Sequence, residues 1–159
     1  MSLASMYEKP VIWLIDTTVF LNVLDVPQYN QNRDEVLEEF RRRIENGDTF
    51  FLPVTTVIET GNHIAQINNG NQRRAYAQKF SDQVIASIQG DLPWKPLKFP
   101  ENDDIKKWLA DFPDRAQAEI SLGDHIIIKQ WEEQCARFPA FVVKIWSLDS
   151  DLLGYECNH

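Results

Sequence analysis

The chain has 159 residues, 43% of them hydrophobic and 25% charged, which is enough for one folded domain with a core and too few for two comfortable ones. Sixteen basic against 24 acidic residues leave a formal charge of −8; this excludes a protein that grips nucleic acid over its whole surface, so any such contact is local. No stretch reaches the roughly 18 to 20 apolar residues of a membrane span, and the opening MSLASMYEKP has no basic segment followed by a signal-peptide core, so a cytoplasmic protein with no membrane attachment is expected.

Taken in chain order, VIWLI (11–15) is short, continuous and apolar, the pattern of a buried strand, and Asp16 ends it. VFLNVL (19–24) begins a short helix closed by Pro27. Residues 33–46 carry Val36, Leu37, Phe40 and Ile44 on one helical face, with Gly47 as the stop. TFFLPV (49–54) predicts a second buried strand. From Thr55 to about Asn68 the pattern is helical again, with Val57, Ile58, Ile64 and Ile67 spaced for burial and Glu59, Asn62, His63 and Gln66 on another face.

A longer helix is predicted over 71–88. The three prolines of GDLPWKPLKFP (90–100) then interrupt regular structure, leaving room for a brief strand at PLKF. NDDIKKWLADF (102–112) predicts a helix capped by Asn102 and ending before Pro113. SLGDHIIIKQWEEQCARF (121–138) predicts another, stopped by Pro139, and FVVKIWSL (141–148) a last strand. Strands and helices alternate without tight hairpin signals, which favours an α/β domain on a parallel sheet.

In such sheets the ligand site lies outside the carboxyl ends of the strands. Asp16 follows the first strand and Asp149 follows the last, with Asp151 as a rival for any role given to Asp149. Glu59 falls in the early turns of the helix entered from the second strand, and Asp124 in the first turn of the helix after Ser121. Four carboxylates far apart in sequence thus converge on one crevice. Two of them about 4 Å apart repel by roughly 4 kcal/mol at an effective dielectric near 20, so the cluster calls for cations. Oxygen-only ligands select hard ions, Mg²⁺ or Mn²⁺, and two such ions can activate water and stabilise a leaving oxygen in phosphodiester hydrolysis.

Each acid also has a structural reading. Asp16 and Asp149 suit helix caps, Asp124 stands at the capping-box position three residues after Ser121, and Glu59 suits a solvated helix surface. Thr17, Thr18 and Ser147 are hydroxyls beside the acids that can orient a carboxylate or water, or simply make turns. His63 reads as a surface histidine. His125 projects about 100° around its helix from Asp124, away from a shared metal. Arg41, Arg42 and Arg43, and Arg73, Arg74 and Lys79, are the basic clusters, read first as solvated helix faces. Cys135 and Cys157 have no CxxC or metal-finger spacing and are expected as free thiols.

LIDTTVFLNVL, FFLPVTTVIETGNHIA, ISLGDHIII and WSLDSDL resemble the four acidic motifs of the PIN-domain nucleases, in the family's order, across about residues 11–155. The resemblance implies a three-layer α/β/α domain with a central parallel sheet over 11–155, an N-terminal extension at 1–10 and a C-terminal tail at 156–159. It also implies one or two Mg²⁺ or Mn²⁺ ions and endonucleolytic cleavage of RNA, with Asp16, Glu59, Asp124 and Asp149 as the metal-binding quartet. Thr18 stands where many relatives carry Asn, a change expected to weaken a supporting hydrogen bond. Ser147 stands where many carry Thr and keeps the hydroxyl. Compact members resemble the VapC type of ribonuclease toxin, which implies a small antitoxin partner and a homodimer.

The expected function is therefore a metal-dependent ribonuclease. Two rivals come from other classes. One is a catalytically silent PIN-like module that binds RNA or protein, prompted by the −8 charge and Thr18. The other is a phosphatase with Asp16 as nucleophile, of the haloacid-dehalogenase-like kind, which would carry a second Asp at the position of Thr18.

Overall fold

The computed structural model describes residues 9–157. Its elements run β1 (Val11–Ile15), α1 (Thr17–Val23), α2 (Arg33–Glu45), β2 (Thr49–Leu52), α3 (Val54–Ile64), α4 (Gly70–Ile88), β3 (Trp94–Pro96), α5 (Asn102–Gln117), α6 (Leu122–Arg137), β4 (Val142–Trp146), a 3₁₀ turn (Ser150–Leu152) and β5 (Glu156–Cys157). The strands form one sheet in the order β3-β2-β1-β4-β5. The pairs β1–β2, β2–β3 and β1–β4 are parallel, whereas β5 runs antiparallel to β4. The sheet is thus mixed, one antiparallel edge strand away from the expected parallel one.

The continuous apolar run of β1 is explained by cover on both faces, and all five of its residues are buried. Alternate side chains enter different cores, as the two-residue period of a strand requires. Val11, Trp13 and Ile15 join Phe20, Phe40, Phe50, Trp94 and Trp146 on one face. Ile12 and Leu14 join Ile127, Ile128, Val143 and Leu152 on the other. Helices therefore lie on both sides of the sheet, giving the three-layer PIN-like architecture. Strand order reverses between β1 and β4, so their carboxyl ends flank the crevice where ligands enter such folds.

Several expectations shift. Pro53 caps α3, so Val54 belongs to the helix and β2 is two residues shorter than the apolar run. α5 passes through Pro113 and reaches Gln117, and its cap is Glu101, whose backbone N–H donates to Asp104. Proline removes one helical hydrogen bond, but buried Trp108 holds this helix on α6, where its indole N–H donates to Glu133. On the same helix Ile105 and Leu109 are exposed.

The expected tail begins with Glu156 and Cys157, which form β5, while Asn158 and His159 lie outside the described residues. Residues 1–8 of the expected extension lie outside them too. Cys135 and Cys157 are joined in a disulfide rather than free. Spacing could not show this, because the bond depends on β5 returning beside β4 and α6. No helix among the described residues is long and apolar enough to cross a membrane.

Candidate metal-binding active site

Asp16 leaves β1 with its backbone N–H donating to the Trp146 carbonyl of β4, which continues the parallel ladder by one residue. Its backbone carbonyl opens α1 by accepting from Val19 and Phe20, but its carboxylate makes no cap bond to that helix. The carboxylate is buried, with 6% of the residue exposed, and it takes hydroxyl donors on Oδ2: Ser147 Oγ at 2.7 Å and Thr18 Oγ1 at 3.0 Å. Buried charge demands such partners. Thr18 thus donates one of the two hydroxyl hydrogen bonds to this carboxylate. The same hydroxyl accepts the Leu148 N–H at 2.9 Å, and Ser147 Oγ accepts the Asp149 N–H at 2.9 Å.

Glu59 projects from α3 and accepts from Thr17 Oγ1 at 3.0 Å through Oε2. Its other oxygen lies against Gly123 on α6, where a Cβ would stand only 1.9 Å from Oε1. Gly123 is therefore the residue whose lack of side chain admits Glu59 to the crevice. Asp124 follows it, and its backbone N–H donates to Ser121 Oγ at 3.1 Å, half of a capping box. The side chain is half-buried, and burial first, then the carboxylates of Asp16, Asp149, Glu59 and Asp151, push its carboxyl up to about 6.

Asp149 fills the structural role foreseen for it, with Oδ1 accepting the Asp151 N–H at the start of the 3₁₀ turn. It also lines the crevice. Asp16, Glu59, Asp124 and Asp149 all border one cavity of about 410 Å³, joined by Thr17, Thr18, Asn22, Tyr29, His63 and their neighbours. Asp124, Asp149 and Asp151 each offer a carboxylate oxygen within 4.8 Å of the others. Asp16 and Glu59 line the same cavity outside this trio, and Asp151 is exposed and does not border the cavity.

The donor set fits a hard divalent cation. It is all oxygen, it carries excess negative charge without a lysine or arginine among the described cavity-lining residues, and it holds Asp124 well above an ordinary carboxyl.

His63 is not a bare surface histidine: it lines the cavity, its Nδ1 lies 2.7 Å from the Glu59 carbonyl, and its ring meets Tyr29 at 88°. Its position one helical turn after Glu59 was the sequence signal. His125 is fully buried with Nε2 at 2.7 Å from the Trp108 carbonyl, away from the crevice.

None of the residues of the two basic clusters lines this cavity. Arg41 pairs with Glu38 and Glu45, and Arg42 with Glu39. Arg43 also pairs with Glu39 and lies over the rings of Trp13 and Trp146, its centre 3.8 and 4.3 Å from their centroids. It is half-buried against the core and not part of a solvated face. Arg73 donates to the Ile67 carbonyl and Lys79 to the Leu24 carbonyl.

No protein-family model matches the chain, and no curated protein matches it. Among solved structures it is similar to the crystal structure of FitAcB from Neisseria gonorrhoeae, with 18% identity and a TM-score of 0.58 over 87% of this chain and 88% of that one. A likeness at this identity shows a common fold.

Proposed function

We propose that the crevice is the active site of a PIN-type, metal-dependent endoribonuclease, in which Asp16, Glu59, Asp124 and Asp149 hold one or two Mg²⁺ or Mn²⁺ ions. The observation that carries the reading is four carboxylates on one cavity at the strand-order reversal, with Asp124 pushed up to about 6. The fold shared with FitAcB supports the reading that the four acidic motifs give. Such ions supply Lewis acidity toward water and phosphate oxygens.

The chain's own residues do the positioning. Ser147 and Thr18 fix Asp16 by two hydroxyl donors, and Thr17 fixes Glu59, so neither carboxylate must be ordered when a cation arrives. Below about pH 6, where Asp124 keeps its proton, a cation at this site would have to compete with that proton. Asp149 is the fourth ligand because it lines the cavity, and Asp151 supports it through its N–H. RNA is the substrate. The VapC resemblance extends to a small antitoxin protein, a homodimer and a cytoplasmic setting.

The test is cleavage of a single-stranded RNA panel in Mg²⁺, Mn²⁺ or EDTA by wild type, Asp16→Ala and Asp124→Ala. Cleavage that needs metal and is lost in both variants supports the nuclease. Intact metal-stimulated cleavage in the variants overturns it.

A second reading, a catalytically silent binding module, is favoured by one observation: among the described residues, no lysine or arginine lines the cavity to grip a substrate backbone. It predicts RNA or protein binding that survives loss of the four acids, and a pull-down in which a quartet variant loses its partners counts against it.

A further inference from the structure

The cavity lining is of two chemical kinds. Beside the carboxylates and threonines, Tyr29, Gln31, Asn32 and His63 make a wall of two rings, in contact with each other, and two side-chain amides, with no fixed charge required. Phosphate is poorly served by such a wall. A flat, uncharged ring with hydrogen-bonding edges is served well, because aromatic side chains stack on it and amides read its donors and acceptors. We propose that this wall is a nucleobase subsite, which seats the base next to the scissile phosphate and sets base preference; the proposal rests on the ribonuclease reading for the identity of the ligand.

The construction of the wall argues for a fixed role. The segment between α1 and α2 contains two non-glycine residues in the left-handed region, Asp25 at φ 59° and Gln28 at φ 73°. Such conformations persist where surrounding contacts enforce them, and they concentrate at ligand sites. Here the contacts are many. Asn30 donates to Asp25, Lys79 to the Leu24 carbonyl, and the Arg33 guanidinium to the Asn22 and Val23 carbonyls. The Asn32 N–H donates to Asn22 Oδ1, whose amide nitrogen donates to the Thr18 carbonyl. The segment is thus tied to the same turn that positions Asp16.

Tyr29 and His63 stand perpendicular, with centroids 4.7 Å apart, so they form a corner of two planes. A carbonyl oxygen at 2.7 Å requires the proton on His63 Nδ1, which fixes that ring to α3 next to Glu59. Gln31 is exposed at the cavity edge, and its Nε2 donates to the Gln28 carbonyl, which orients its amide. One side of this corner is held by the Asp16 turn and the other by the Glu59 helix, so a base in it lies at a fixed place relative to the acids.

The experiment is equilibrium dialysis of AMP, GMP, CMP, UMP and ribose 5-phosphate with the full chain in Ca²⁺. Wild type, Tyr29→Ala, Tyr29→Phe and Gln31→Ala are compared, with thermal melts to verify folding. The expected result is nucleotide binding at least about tenfold tighter than ribose 5-phosphate, that margin lost in Tyr29→Ala and kept in Tyr29→Phe, and an altered order of the four bases in Gln31→Ala. Equal binding of all five ligands by wild type overturns the subsite and leaves the nuclease reading standing. The same holds for a base preference indifferent to Tyr29 and Gln31. Base-selective binding that depends on Tyr29, in a protein that cleaves no RNA, supports the subsite and overturns the nuclease. Absence of all binding overturns the subsite.

Discussion

Ser147 donates to Asp16 Oδ2 at 2.7 Å and accepts the Asp149 N–H at 2.9 Å, so one hydroxyl joins the acid after β1 to the acid after β4. Both oxygens of the shorter contact are buried, in residues 131 positions apart in sequence. Ser147→Ala removes the shorter of the two hydroxyl donors to a buried carboxylate. The expected loss is about 1 to 3 kcal/mol of stability, read by denaturant unfolding, together with weaker divalent binding. Ser147→Thr keeps the hydroxyl and is expected to retain most of both.

Asp124 makes the metal-free protein sensitive to pH. Its carboxyl is held at about 6 in the folded chain against 3.8 ordinarily, so the folded state keeps the proton more tightly than the unfolded state. Its unfavourable contribution is absent below about pH 4, grows between about pH 4 and 6, and is complete above that. The melting temperature of wild type minus that of Asp124→Asn, in EDTA, should therefore fall as pH rises through this window. A flat difference would place the acid in an ordinary environment. Mg²⁺ should raise the wild-type melting temperature more at about pH 7.5 than at about pH 5, since cation and proton compete for the site.

Gly123→Ala separates position from stability. The new methyl would overlap Glu59 Oε1, which is the end of a flexible side chain and can swing away. Alanine is at least as good as glycine in a helix, so the fold should hold within about 1 kcal/mol. Activity and metal affinity should drop about 10- to 100-fold as Glu59 leaves the crevice. A variant that is both folded and fully active would remove Glu59 from the site.

The disulfide ties α6 to the two-residue strand β5 across a sequence separation of 22, closing a loop that includes β4, Asp149 and Asp151. Chain entropy assigns such a loop about 3 kcal/mol. Cys135→Ser/Cys157→Ser, or reduction by dithiothreitol, should lower the melting temperature by the corresponding amount. An unchanged melting curve would mean that the bond contributes nothing to the folded state.

How much of this was legible in the chain follows the range of the forces involved. The strands at 11–15 and 142–146 and the helices around Glu59 and Asp124 were readable, because apolar periodicity is local and the acids sit where the periodicity stops. Convergence of the four was readable from the parallel-sheet rule. What escaped depends on contacts between distant segments. Tyr29 and His63 share a cavity only because the segment after α1 folds back over α3. Arg43 resembles its neighbours in sequence and is set apart by the two tryptophans beneath it. Cys135 and Cys157 meet only because β5 reverses direction. Helix α5 runs past Pro113 to Gln117, where the local proline signal reads as a stop.

Whether the four carboxylates act as one cation site is read out by calorimetric titration of Mn²⁺ into wild type, Asp16→Asn, Glu59→Gln, Asp124→Asn and Asp149→Asn at about pH 7.5. Wild type should bind one or two ions saturably, and each of the four variants should bind more weakly. Wild type that binds no Mn²⁺, or folded variants that bind it as wild type does, would contradict the single site.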